Sequence, residues 1–199
     1  MEDDADRSSF DQIPPETQED LFRNFLYRHF LHTFDKLFLF PIATPQDMNM
    51  STQLFGSNNE IRNNVEYYKW TDQIYRDFMM SLLELLEPRQ EEAGAILFDE
   101  LEDLQEIIFH EKGLIDFGYL VDRKARYVLR MSKGTIIGGY HCTESVKTSF
   151  RLKCKSRLEG YMIRKEAWME LLEDFDEIAE MMKNNAKKMY YTKIHGPVM

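Results

Sequence analysis

Between Glu87 and Ile163 short apolar runs alternate with turn residues: 95–98, 106–110, 114–121, 126–131, 135–140, 148–154 and 158–163. Each is of strand length and rich in β-branched or aromatic side chains, and Gly94, Lys112-Gly113, Ser132-Lys133-Gly134 and Gly138-Gly139 fall between them. So many short strands in so little chain predict a compact antiparallel barrel or roll. Ahead of it the period becomes helical. Leu21, Phe22, Phe25, Leu26, Phe30, Leu31, Phe34, Leu37 and Phe38 recur at three- and four-residue spacing, which predicts one amphipathic helix over 21–40, after the acidic run Glu16 to Asp20. Its phenylalanine-rich face either covers the roll or docks a partner chain through Phe22, Phe25, Phe30 and Phe34. The pattern leaves both open.

Ile74, Tyr75, Phe78, Met79, Leu82, Leu83 and Leu86 make a second helical stripe, begun near Asp72 and ended by Pro88. Beyond the roll, Arg164 to Leu172 and Asp174 to Met189 read as two more helices, and Tyr190 to Met199 as non-helical. The expected organisation is an acidic, mobile tail (1–20), the Phe-rich helix (21–40), an Asn-rich linker (41–65), the roll domain (66–190) and a C-terminal tail (191–199).

Composition narrows the function. The chain has 199 residues, 43% of them apolar, enough for one core. No run reaches the ~20 uninterrupted apolar residues of a spanning helix, and with two cysteines, twelve methionines and no secretory signal an intracellular, reduced protein is expected. A net charge of −10 argues against nucleic acid as a partner. The charge is also unevenly placed: Glu84 to Glu111 is almost wholly acidic, Arg123 to Lys165 almost wholly basic.

Candidate chemistry is sparse. His29 and His32 share a helix face but lack further metal ligands, so no metal is expected. His141-Cys142 has the residue types of a base and a thiol, without an oxyanion-hole or nucleophile-elbow motif, and Gly138-Gly139 belongs to no P-loop or dinucleotide pattern. No catalytic residue is assigned.

The order of motifs carries a resemblance. Glu87-Pro88-Arg89, Gly94 to Phe98, Glu106 to Phe109 with Lys112-Gly113, Ile137-Gly138, Glu159-Gly160-Tyr161 and Ile163-Arg164-Lys165 with Trp168 look like successive signature segments of the cyclic-nucleotide-binding domain. Over 68–189 the chain most resembles the degenerate version in the cytosolic tails of voltage-gated or cyclic-nucleotide-gated cation channels of ciliated protists. The resemblance implies an α+β fold: an antiparallel β-roll of jelly-roll type, flanked by one N-terminal and two C-terminal helices, with an additional N-terminal helical arm.

It also implies where a ligand would sit. Members that bind nucleotide resemble one another in a phosphate cassette, a Phe-Gly-Glu whose carboxylate accepts from the ribose hydroxyl, then an arginine that pairs with the cyclic phosphate. Here the cassette spans 137–149: Ile137-Gly138-Gly139 replaces Phe-Gly-Glu, and Val146 stands at the arginine position, before Lys147, Thr148 and Ser149. Losing two charge-assisted anchors, each worth on the order of 1.5–3 kcal/mol, predicts little or no cyclic AMP or cyclic GMP binding. Lys147 is the one substitute cation in reach. Strand alternation instead puts Lys147, Arg151, Lys153 and Lys155 on the outer face as a basic ridge, suited to an acidic neighbouring subunit or an anionic membrane surface. Some channel relatives fill the empty pocket with their own chain after the last helix, a part open to Tyr190, Tyr191 and Lys193; the alternative, which the sequence favours, is that these residues are a frayed terminus.

The expected function is therefore a non-catalytic regulatory or assembly module, on the cytosolic side of a membrane as a channel tail, with other protein subunits as partners. The alternatives are a stand-alone scaffold subunit in a soluble assembly and a cyclic-nucleotide sensor that uses Lys147.

Overall fold

The computed structural model describes residues 13–42 and 66–198; most of the acidic tail and the linker lie outside them. The roll is built from two four-stranded antiparallel sheets. One has the order β1 (Glu87–Glu91), β8 (Leu158–Arg164), β3 (Glu106–Lys112) and β6 (Thr135–Ile137). The other has the order β2 (Ile96–Phe98), β7 (Arg151–Cys154), β4 (Ile115–Val121) and β5 (Lys124–Met131). Outside the roll lie α1 (Pro15–Asp20), α2 (Arg28–Thr33), α3 (Gln73–Glu84), α4 (Gly139–Glu144), α5 (Lys165–Asp174) and α6 (Asp176–Tyr190).

The strand pattern follows from which positions shed water. Phe117, Leu152 and Cys154 line the interior, with Phe117 opposite Leu152 in register, while Arg151 and Lys153 alternate outward. The β4–β5 connection is a two-residue turn at Asp122 and Arg123, both at positive φ (50° and 64°), the backbone twist that matches a right-handed hairpin. β1 was not among the expected strands because it is polar and contains Pro88. It occupies a sheet edge, where a residue without an N–H is tolerated.

Three expectations need correction. The stretch 21–40 is not one helix: α1 begins within the expected tail, a π-helical turn (Leu21–Leu26) follows, then α2, then a 3-10 turn (Asp35–Leu37), with breaks at Tyr27 and Phe34. Each break re-aims the next aromatic side chain at the same sheet. Phe30 and Phe34 both meet Phe109 of β3, at 5.1 and 5.3 Å between ring centroids, and Tyr27 and Phe30 meet Tyr161 of β8, at 5.6 and 5.7 Å. Phe109 and Tyr161 are partners in the β3–β8 register, so the arm rests on one cross-strand pair. Secondly, the run 135–140 is strand only to Ile137, after which the chain enters α4, too short for its helical period to show. Thirdly, 190–198 is helical throughout, since α6 continues through a π-helical turn (Tyr191–His195) into a last turn at Gly196–Val198.

The arm shares the core of the roll. Phe22, Phe30, Phe34, Leu37, Phe38 and Phe40 belong to the same buried cluster as Phe78, Ile107, Phe109, Trp168 and Met182. Of the four phenylalanines assigned to a partner, only Phe25 is free to meet one, at 71% exposed. Replacing Phe30 by Ala is expected to destabilise the fold by about 3–5 kcal/mol through cavity formation, whereas Phe25→Ala shifts it by no more than about 0.5 kcal/mol; urea unfolding of the two variants checks both.

Candidate functional site

The site starts from a backbone approach that only glycine permits. β6 ends at Ile137, and Gly138 then takes φ +83°, with the β3 carbonyl of Glu106 only 2.5 Å from where a Cβ would sit. The chain thereby turns sharply into α4, whose second and third residues are Tyr140 and His141. The helix is locked at both sides. Cys142 N–H donates to Gly138 O at 2.7 Å, its thiol points at Leu104 O and Glu106 O, and Trp168 Nε1–H of α5 donates to Thr143 Oγ1 at 2.9 Å.

Inside the roll this leaves a cavity lined by Leu104, Phe117, Ile137, Gly138, Gly139, His141, Thr148 and Phe150. Its lid is the chain's own last helix. Tyr190 stacks on Tyr140 at 4.7 Å and 14° between planes and meets His141 edge-on at 4.8 Å, while Ile194 and Met189 complete the lining. Tyr191 OH lies 3.4 Å from Tyr140 OH, and Lys193 Nζ donates to Gly134 O at 2.9 Å. The space that remains is about 20 Å³, room for about one water, against the roughly 300–1,000 Å³ of small-molecule sites.

The electrostatics of the cavity are those of a dry site. Burial holds His141 down to about 4, and its Nδ1 is buried without a hydrogen-bond partner. Burial also pushes the Cys142 thiol up to about 12. The hydroxyl of Tyr140 is raised to about 12, first by its hydrogen bond to Tyr191, then by burial. A protonated thiol beside a neutral imidazole, with the thiol turned to two carbonyls, is not an activated nucleophile.

Of the cassette residues singled out in the sequence, Ile137, Gly138, Gly139 and Thr148 line the cavity. Val146, Lys147 and Ser149 do not: all three are exposed, and Lys147 lies near the carboxylate of Asp103, whose pKa is lowered first by the hydrogen bond from Lys165 and only lastly by Lys147. The Thr148 hydroxyl bonds within its own loop, to the Phe150 backbone at 3.2 Å. The basic ridge is interleaved with acids. Arg151 pairs with Asp99 at 3.1 Å, and Lys153 stands opposite Asp116, which takes Arg130 at 2.6 Å, so Lys147 and Lys155 are its exposed cations. The acidic half is partly neutralised in the same way, through Arg89–Glu106, Arg164–Glu87 and Lys165–Asp103.

His29 bonds Glu111 at 2.9 Å, and among the described residues no cluster of three metal-ligating side chains occurs. No helix of the described residues is long and apolar enough to cross a membrane. Tyr140 went unnoticed in the sequence because its partner is fifty residues away; the aromatic doublet Tyr190-Tyr191 was the only signal.

No family model and no curated protein matches the chain. Solved structures do. A putative cyclic-nucleotide-binding protein from Ruegeria pomeroyi aligns with a TM-score of 0.50 at 15% identity, over 60% of this chain and 54% of that one. The global regulator CLP of Xanthomonas campestris, described as c-di-GMP responsive, aligns at 0.49 and 12% identity over 60% and 59%. The regulatory domain of Toxoplasma gondii PKA, solved with cAMP, aligns at 0.47 and 13% identity over 54% and 43%, so the chain spans only about half the length of these proteins. The architecture is that of a cyclic-nucleotide-binding domain, a β-roll with flanking helices.

The buried imidazole makes stability depend on pH in a defined direction. Unfolded, His141 titrates near about 6.5; folded, it is held at about 4. Its contribution is thus present above about 6.5 and lost as pH falls toward 4, on the order of 3 kcal/mol over that window. Denaturant unfolding at pH 7 and at pH 4.5 is expected to show this acid loss, and His141→Gln to remove much of it. His110, which burial also holds below its usual value, contributes to the remainder, as do Asp103 and Glu159, whose carboxyls are lowered first by hydrogen bonds from Lys165 and Lys112.

Proposed function

We propose that the chain is a non-catalytic regulatory or assembly module of cyclic-nucleotide-binding architecture whose ligand pocket is filled by its own C-terminal segment. One observation carries this reading: the cavity between Gly138, Gly139 and Thr148 retains about 20 Å³ because Tyr190 and Ile194 occupy its mouth. The anchors a cyclic nucleotide needs are missing as well. No carboxylate follows Gly138, and Lys147, the substitute cation, is exposed outside the cavity. The absence of chemistry is supported by the inert state of the His141-Cys142 pair.

A module of this kind acts through contacts with other protein subunits. Its motif order is similar to that of channel tails, which favours a place on the cytosolic side of a cation channel, as a roll that passes subunit contacts to a gate. A scaffold subunit of a soluble assembly would use the same surfaces. In either setting Phe25 of the arm and Lys147 and Lys155 of the ridge are exposed groups through which the chain can reach a partner or an anionic membrane.

Calorimetric titration and thermal unfolding with cyclic AMP and cyclic GMP test the reading. Neither nucleotide is expected to give saturable heat or a raised midpoint at millimolar concentration. Ligand at ~100 times its dissociation constant would stabilise the fold by about 2.7 kcal/mol, and a shift of that size would restore the sensor reading; its abolition by Lys147→Ala would then make Lys147 the anchor.

A further inference from the structure

A second recess lies on the outside of α6; it shares Met189 with the cavity but opens away from it. There the end of the arm, the Pro41–Tyr67 bridge and the last turns of the chain meet. Its volume is about 510 Å³, within the range on the order of 300–1,000 Å³ that small-molecule sites occupy. Its lining is mixed: Leu39, Tyr67 and Met189 are apolar, with Leu39 left 47% and Tyr67 40% exposed, and Lys36, Lys188 and Lys193 are cationic.

Lys36 and Lys193 are close enough to repel each other, and Lys188 adds a third positive charge to the same lining. Elsewhere on the same helix a lysine is neutralised within the chain, where Lys183 pairs with Glu180 at 3.3 Å. In the recess, among the described residues, no ion pair holds Lys36, Lys188 or Lys193. Among the described residues Asp35 is the carboxylate whose charge reaches Lys193, and it also accepts the Lys36 backbone N–H at 2.6 Å. The ammonium of Lys193 spends one hydrogen on the Gly134 carbonyl and leaves two free. Its pKa is lowered, first by burial and then by Lys36, so a positive neighbour outweighs a negative one there.

Excess positive charge beside exposed aromatic and aliphatic surface is complementary to one class of molecule. We propose that this recess binds an organic phosphate, its phosphoryl group held by Lys36, Lys188 and Lys193 and its apolar or aromatic body laid on Tyr67, Leu39 and Met189. Ammonium groups act as point charges toward a dianion and need no fork geometry, so lysines from three different segments suffice. The Thr192 hydroxyl, which also lines the recess, supplies a further donor.

The test is a titration of the isotopically labelled full chain with phenyl phosphate and with inorganic phosphate, followed by amide chemical shifts. Lys36 and Lys188 are exposed, so Lys36→Ala/Lys188→Ala is expected to keep the wild-type unfolding midpoint. The expected result is saturable shifts centred on Tyr67, Lys188, Thr192 and Lys193, with phenyl phosphate bound more tightly than inorganic phosphate, and affinity for it reduced about tenfold or more in the double variant. Absence of saturation by roughly 10 mM phenyl phosphate, undiminished binding to the double variant, or equal affinity for the two anions would overturn the proposal.

Discussion

The approach of Gly138 to the Glu106 carbonyl is the constraint on which the interior of this protein depends. With the position of a Cβ only 2.5 Å from that oxygen and φ at +83°, no other residue turns β6 into α4 at this height in the roll. The turn presents Tyr140 and His141 to α6, places Cys142 under β3 and brings Thr143 to Trp168. Strand and loop residues such as Phe117 and Phe150 form the walls of the cavity, and the contacts of its lid run from the C-terminal segment to this short helix and to Gly134. A larger residue at 138 would displace α4, and with α4 the seat of Tyr190.

The same economy holds where the arm meets the sheet of β3 and β8. Phe109 and Tyr161, a single cross-strand pair, receive the aromatic rings of an arm that breaks direction twice to reach them. Edge-to-face packing of this kind adds about 0.5–1.5 kcal/mol per pair beyond area burial, so the node joins the arm to the sheets firmly. The arm is therefore structural at Phe22, Phe30 and Phe34 and presents itself to solvent at Phe25.

How much of this was legible in the sequence follows the range of the interactions. The strands whose side chains alternate, such as β7 with Leu152 and Cys154 inward, were readable, because a period of two reports one buried face. β1 was not, since a polar edge strand with Pro88 buries little. The arm's period was visible but its breaks were not, because π-helical and 3-10 turns keep the spacing of apolar residues while changing direction. Gly138, Gly139 and Thr148 were placed in the pocket by motif order. Counting put Val146 at the arginine position of the cassette, but the loop leaves it exposed; alternation put Lys147 outward, where it lies, though in a loop and not on a strand. The lid was only half legible: Tyr190 stood out as an aromatic after the last apolar period, but its partner Tyr140 and its helical state are settled by tertiary packing.

The claim at the centre of this account is that the chain's own C-terminal segment closes the roll. Hydrogen exchange of the full chain compared with a chain ending at Met189 tests it most directly, because protection reports local opening rather than global stability. The account predicts that the Cys142 and Thr143 amides of α4 lose protection when residues 190–199 are removed, while β4 and β7 keep theirs. Unchanged protection across α4 in the shortened chain would contradict it.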